Sequence, residues 1–325
     1  MKKNIAIVAG GDSSEVVVSL KSAEGIRSFM DKEKYFLYIV IVKRDEWYVI
    51  LPGGEHTPVD KNDFSFTEGG IVKRFDFAYI TIHGTPGENG LLQGYFELVS
   101  IPYSTCNVLV SALTFNKFAC NNYLRNFNIR VADSAHFFKG EPVNDDDIIA
   151  RLGFPVFVKP NDGGSSFGVT KVKDAGQLQP AIEKAFSEGN EVIIERFIAG
   201  TEVTCGCYKV KGKEVVFPPT EVVTKNEFFD FDAKYNGASD EITPARISAE
   251  LTGKIQHETL KIYDILGAKG IIRVDYIIPN GEEPVLLEVN TTPGMTAASF
   301  IPQQVRAAGL DIKDVMTDII ENELI

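Results

Sequence analysis

The sequence predicts an α/β protein, with a small parallel-sheet unit first and mixed strands and helices (α+β in character) after it. Three stretches predict this. A short apolar run, Ile5 to Val8, enters Gly10-Gly11 and then a helical pattern from about Glu15. A strand pattern from Phe154 to Lys159 runs through Pro160 into a loop, Asn161 to Gly168, that holds three glycines and two serines. Near the C-terminus, two β-branched runs flank Asn280-Gly281, the strongest short-range hairpin signal.

Length and composition bound the rest. At 325 residues the chain is long for one core and suggests two or three domains. Apolar residues make up 44% and charged residues 24%, as in ordinary globular proteins. A net charge of −12 gives no support to binding a nucleic-acid backbone. No run of 18 apolar residues occurs, so no transmembrane helix and no membrane partner are expected. The first apolar run is too short for a signal peptide and reads as a strand. Cys106, Cys120, Cys205 and Cys207 lack zinc spacing; Cys205 and Cys207 share a strand face and read as buried thiols. A reducing cytoplasm is the expected location.

In chain order, residues 4 to 9 read as a strand, followed by a glycine turn that offers backbone N–H groups to an anion. The dinucleotide fingerprint is absent there. Tyr35 to Val42 and Phe77 to Ile82 read as further strands. Glu15 and His83 fall at carboxyl ends of strands, where open α/β sheets bind ligands. Residues 112 to 127 read as one helix carrying Lys117, and Asp145 to Asp147 open another, since acids suit a first turn. The loop from Gly163 to Gly168 can cover phosphates, with Lys159 just before it; a flexible surface turn is the alternative. Val192 to Ile198 is a strand running into Gly200, where backbone could meet an adenine edge and Glu202 a ribose. Residues 203 to 223 alternate like an antiparallel meander. Asn226 to Ala245 reads as a long polar loop carrying Lys234 and Tyr235, and loops of that length are functional or disordered. Glu250 to Leu266 is an amphipathic helix with His257 on its wet face, and Ile312 to Leu324 a last helix.

A two-residue turn at Asn280-Gly281 pairs Pro279 with Glu282, puts Arg273 opposite Glu288 and puts Asp275 opposite Leu286. Strand alternation then gives Arg273, Asp275, Glu288 and Asn290 one face. Burying such groups unpaired costs several kcal/mol each. Three hard oxygen donors on one face suit Mg²⁺ completed by nucleotide phosphates. The alternative is a surface hairpin with an Arg273–Glu288 salt bridge. A three-residue loop would put Asp275 on the face away from Glu288.

Arg273-Val274-Asp275, with Leu287 to Thr296 following, resembles the ATP-grasp ligases and most of all the D-alanine–D-alanine ligase family. The resemblance runs from Gly10 to about Gly309 through at least six motifs in order. It implies an N-terminal α/β domain over residues 1–105, followed by a two-domain ATP-grasp fold. The central subdomain, with the phosphate loop, would cover 106–200, and the C-terminal subdomain, with the metal hairpin and lid loop, 201–325. It implies that two D-alanines are joined into D-alanyl-D-alanine through an acyl phosphate, releasing ADP and phosphate, for peptidoglycan precursors. ATP and two Mg²⁺ or Mn²⁺ ions are the implied cofactors, and a homodimer the implied assembly.

By the same resemblance, Lys117 and Lys159 are the phosphate lysines and Ser166 belongs to the phosphate loop. Glu195, Phe197, Ile198 and Glu202 contact adenine and ribose. Asp275, Glu288 and Asn290 hold metal. Arg273 and the Gly294 N–H hold the oxyanion, while His83 and Ser299 help bind substrate. Glu15 holds the first ammonium and forms a hydrogen-bonded chain with Ser165 and Tyr235. Lys234 and Tyr235 lie in the closing loop. Val16, Phe231 and Phe300 depart from the family's usual residues, which bears on the shape of the substrate pocket. Other readings stay open: a related ligase with a different acceptor such as D-lactate, a non-catalytic nucleotide-binding module, and a dinucleotide-dependent oxidoreductase.

Overall fold

The structure, a computed structural model, describes residues 2–13, 15–164, 167–224 and 239–324. The first unit is built around β1 (Lys3–Gly10), whose residues 5 to 9 are wholly buried. A strand covered on both faces reads as a continuous apolar run. After it come α1 (Val16–Phe29), β2 (Tyr35–Val42), β3 (Trp47–Ile50), β4 (His56–Asp60), β5 (Ser65–Glu68), β6 (Ile71–Lys73) and β7 (Phe77–Ile80). The seven strands lie in the order β6-β5-β4-β3-β2-β1-β7. Only β2, β1 and β7 are parallel; β3 to β6 extend the sheet as antiparallel neighbours.

Helices α2 (Leu91–Leu98), α3 (Val108–Phe115) and α4 (Lys117–Arg125) follow. The single helix expected over 112–127 is two helices. Asn116 is extended (φ −88°, ψ 99°), and its side chain accepts from the Ala119 N–H, capping α4. An asparagine offers the backbone this local bond in place of a helical one.

The middle unit holds β8 (Ser134–Phe138), α5 (Asp145–Leu152), β9 (Val156–Pro160), β10 (Thr170–Val172), α6 (Leu178–Glu188) and β11 (Glu191–Arg196). Its four strands run in the order β10-β9-β11-β8, all antiparallel. Asn144 caps α5, and three aspartates fill its first turn, as the sequence suggests. The last unit holds β12 (Thr201–Val210), β13 (Lys213–Val216), β14 (Thr220–Thr224), β15 (Ser239–Ile242), α7 (Ala249–Leu266), β16 (Ile272–Ile278), β17 (Val285–Asn290), α8 (Phe300–Ala307) and α9 (Ile312–Glu323). Its sheet runs β15-β14-β12-β16-β17, with β13 added on β12. The stretch read as a loop to Ala245 therefore ends in a strand, because Asp240, Glu241 and Ile242 pair with β14. Residues 225–238 lie outside the described residues.

The β16–β17 hairpin corrects the sequence reading in register. Pro279–Gly281 form a 3₁₀ turn rather than a two-residue one, and Ile277 pairs with Val285. That loop alone would send Asp275 and Glu288 to opposite faces. A bulge between Asp275 and Tyr276 adds one residue to β17, so Asp275 faces Glu288 and Arg273 faces Asn290. The expected set shares one face after all, for a different reason.

One core joins the first and last units. Ile5, Ile7 and Ile26 pack in the same cluster as Ile301, Val305, Met316 and Ile319. The Tyr35 hydroxyl donates to Glu321 at 2.6 Å across this junction. The middle sheet has its own core, with Val156, Val158, Ile182 and Ile194. All four cysteines are buried and free. No helix among the described residues is long and apolar enough to cross a membrane.

Gly25, inside α1, lets that helix lie against the chain just after Gly294. A Cβ there would sit 2.3 Å from the Met295 carbonyl oxygen. Alanine in a helix interior normally adds about 1 kcal/mol over glycine. Overpacking against a backbone atom costs ~1–3 kcal/mol and wins here. Gly25→Ala should therefore lower the thermal unfolding midpoint followed by circular dichroism; a raised midpoint would contradict this packing.

Candidate active site

A cleft of about 840 Å³ opens where the three sheets meet. Its floor is the polar face of the bulged hairpin. Arg273 grips Asp275 with both ends of its guanidinium, Nε to Oδ1 at 2.8 Å and a terminal nitrogen to Oδ2 at 2.7 Å. The Thr204 hydroxyl adds a third bond to Asp275 at 2.6 Å. Burial disfavours the Arg273 charge, but Asp275, and then Glu288 and Glu88, hold it charged and push its pKa up. The Arg273 guanidinium also lies 5.4 Å over the Phe300 ring. Phe300, the departure noted in the sequence, thus forms a wall of the cleft beside Ser299.

Lys117 begins α4 and reaches the Gly163 carbonyl at 2.5 Å, with Glu288 3.7 Å away. Lys159, on β9, pairs with Glu195, on β11, at 2.5 Å. Both side chains are largely buried, and a buried pair is held only when both partners remain. Beyond them Phe157 and Phe197 meet edge to face at 5.8 Å, with Lys171 over the Phe197 ring. Ile198 and Glu202 continue this wall. Apolar rings beside a buried ion pair suit a flat heterocycle with a charged tail.

The opposite wall comes from the first unit. Ser13 accepts from the Glu15 N–H at 3.2 Å and donates to the His83 carbonyl at 2.9 Å, tying the two strand ends together. The Glu15 carboxylate lies against the glycine-rich loop that follows β9, since a Cβ on Gly164 would sit 2.5 Å from Glu15 Oε2. Glycine is what allows that approach. Burial pushes the His83 pKa down against the pull of Glu15. His83 Nε2 is buried and has no hydrogen-bond partner among the described residues, which marks a place for a ligand atom.

Every site residue read from the sequence that falls among the described residues lines this one cleft. These are Glu15, His83, Lys117, Lys159, Glu195, Phe197 and Ile198 from the first two units and the segments that join the units, and Glu202, Arg273, Asp275, Glu288, Asn290, Gly294 and Ser299 from the last. Ser165, Ser166, Lys234 and Tyr235 lie outside the described residues. Sequence reading missed Glu88, which lies in the cleft and accepts from the Gly84 N–H at 2.6 Å. Its only signal was an acid five residues after His83 in a glycine-rich turn. It also missed Glu241, on β15, which accepts from Gln303 and whose pKa is raised by burial.

No group of three His, Cys, Asp or Glu side chains is poised around a metal among the described residues. Asp275, Glu288 and Asn290 offer two carboxylates and an amide. Such a set fits Mg²⁺ when nucleotide phosphates and water complete the shell.

Two family models cover most of the chain: D-ala D-ala ligase N-terminus matches residues 4–106 and D-ala D-ala ligase C-terminus residues 123–321. The chain belongs to the D-alanine–D-alanine ligase family. It is 76% identical over 324 residues to the D-alanine–D-alanine ligase of Parabacteroides distasonis, covering 100% of this chain and 98% of that one. It is 67% identical to the ligase of Phocaeicola vulgatus, covering 99% and 100%. Among solved structures it resembles the VanG D-Ala:D-Ser ligase of Enterococcus faecalis, with TM-score 0.88, 33% identity, and 99% and 100% coverage. It also resembles the D-alanine–D-alanine ligase of Bacillus anthracis complexed with ATP, with TM-score 0.78, 33% identity, and 99% and 97% coverage. The mixed α/β architecture is thus that of the ligase family.

Glu88 gives the site a pH signature. Burial first, and Glu15 second, raise its pKa from 4.5 to about 8. The folded state therefore holds this proton more tightly than the unfolded chain. The stability it contributes is fully present below pH 4.5 and is lost as pH rises toward 8. Glu88→Gln cannot ionise, so its stability relative to the parent should climb between about pH 5 and about pH 8. Denaturant unfolding across that range checks it; a constant difference would contradict the shift.

Proposed function

We propose that this chain joins two D-alanines into D-alanyl-D-alanine, a peptidoglycan precursor, converting ATP to ADP and phosphate. The observation that carries this reading is the meeting of three sheets in one cleft. There a buried Arg273–Asp275 face, two lysines beside the phosphate loop and Glu15 converge. A carboxylate is a poor electrophile. Transfer of the terminal phosphoryl group of ATP to a carboxylate oxygen of the first alanine gives an acyl phosphate, and ADP leaves. The second alanine gives its ammonium proton to solvent, and the free amine attacks the acyl carbon, shedding one more proton to solvent as the amide forms. The carbon–oxygen bond to phosphate breaks, leaving dipeptide and phosphate.

The protein's part is positioning and charge. Lys117 and Lys159 would face the phosphates, and Glu195, Phe197, Ile198 and Glu202 the adenosine. Glu15 and His83 would bind the first alanine. Arg273 and the Gly294 N–H would receive the charge that develops on the tetrahedral carbon's oxygen, with Ser299 beside them. Asp275, Glu288 and Asn290 would hold Mg²⁺ or Mn²⁺, which supplies positive charge to the phosphate oxygens when bound. Ser165, Ser166, Lys234 and Tyr235 enter this account by family resemblance alone, as do the three-domain division, a homodimer and a cytoplasmic location. A closed site protects the acyl phosphate from water.

Phosphate release from MgATP should require D-alanine and not respond to L-alanine, with the dipeptide detected by mass spectrometry. D-Serine and D-lactate as second substrates test the acceptor. Glu288→Ala should keep its circular dichroism spectrum and lose about a hundredfold or more in turnover. Release stimulated equally by both enantiomers, or a Glu288→Ala enzyme of normal rate, would overturn the assignment.

A further inference from the structure

We infer that Asn161, fixed by Glu191 and His136, is the positioning residue that sets Lys117 and the start of the phosphate loop for ATP. This rests on the ATP-dependent reading above. Asn161 is wholly buried where β9 ends. Its polar atoms make four bonds. Its N–H donates to the Glu191 carbonyl at 3.0 Å and its carbonyl receives the Lys117 N–H at 3.2 Å. Its side-chain oxygen receives the Phe118 N–H at 2.8 Å, and its side-chain nitrogen donates to Glu191 Oε2 at 2.6 Å. Asn161 therefore joins the first two residues of α4 to the middle sheet.

The orientation of that amide is chemically forced. A carboxylate only accepts, so the NH₂ end must face Glu191 and the oxygen must face Phe118. Glu191 in turn gathers His136 Nε2 at 2.8 Å and the Asn116 side-chain nitrogen at 3.2 Å. Burial raises the Glu191 pKa, but these donors outweigh it and leave it lowered, so the acceptor stays charged. The His136 ring also stacks on Phe118 at 4.8 Å, pressing on the same turn of α4.

The consequence reaches the cleft through Lys117. Its ammonium group meets the Gly163 carbonyl, two residues beyond Asn161, and lies within reach of Glu288. At its far side α4 holds the bulge, since Asn121 donates to the Leu287 carbonyl at 3.4 Å. Asn161 thus fixes the distance between the loop wall of the cleft and Lys117 at the start of α4. A side chain that only filled space would need neither the forced amide nor the charge behind it.

Steady-state kinetics of Asn161→Ala, Lys117→Ala, the double variant and Glu191→Gln test this, with ADP titration and unfolding midpoints beside them. Asn161→Ala should raise KM for ATP and weaken ADP binding by about ten- to a hundredfold, with KM for D-alanine unchanged. The double variant should lose no more than Lys117→Ala alone. Glu191→Gln, nearly isosteric, should shift the same constants in the same direction and lower the unfolding midpoint, since the charged acceptor of three donors is lost. Additive losses, or equal changes in both KM values, would overturn the positioning role. A parent enzyme that releases no phosphate with D-alanine sinks the functional reading instead, and ADP titration of the same variants still decides this one.

Discussion

One extra residue in β17 is the constraint on which the site depends. The loop from Ile278 to Pro284 has the wrong parity to bring Asp275 and Glu288 together, and the bulge at Leu287 restores it. Without it, one carboxylate would face the α7 core, where Val274 and Tyr276 are wholly buried. An unpaired charge there would cost several kcal/mol. The two-pronged Arg273–Asp275 pair and the Thr204 bond then lock the polar face. A protein that needed only stability would do better with apolar groups at such a place. Their presence is best explained by what the face binds.

The rest of the fold brings partners to that face. The N-terminal sheet shares a core with α8 and α9, so Glu15 at the start of α1 is held relative to Gly294. The middle sheet has a separate core and meets the others through few, specific contacts. Glu15 against Gly164 is one; Asn161 against the start of α4 is another. The units thus meet at an edge made of backbone and charged tips, which suits a site that must admit a nucleotide and then exclude water.

Much of this was legible in the residues. Alternation with an assumed two-residue turn placed Arg273, Asp275, Glu288 and Asn290 on one face, and the ends of strands pointed to Glu15 and His83. Motif order joined the phosphate loop to the hairpin. What was not legible depended on tertiary bonds. The 3₁₀ turn and the bulge make two compensating errors in register that no local pattern reveals. Asn116 breaks a helix through a cap that competes with apolar periodicity across 112–127. Strands β3 to β6 are short and partly wet, so their pairing owes more to neighbours than to pattern. Glu88 and Asn161 owe their importance to burial, which a sequence does not print.

Activation of a carboxylate by phosphorylation in this cleft makes a specific demand on oxygen. D-Alanine labelled with heavy oxygen in its carboxylate should pass one labelled atom per turnover into the released phosphate, read by the isotope shift in phosphorus NMR. Dipeptide formed with wholly unlabelled phosphate would contradict the acyl phosphate and the account of the cleft built on it.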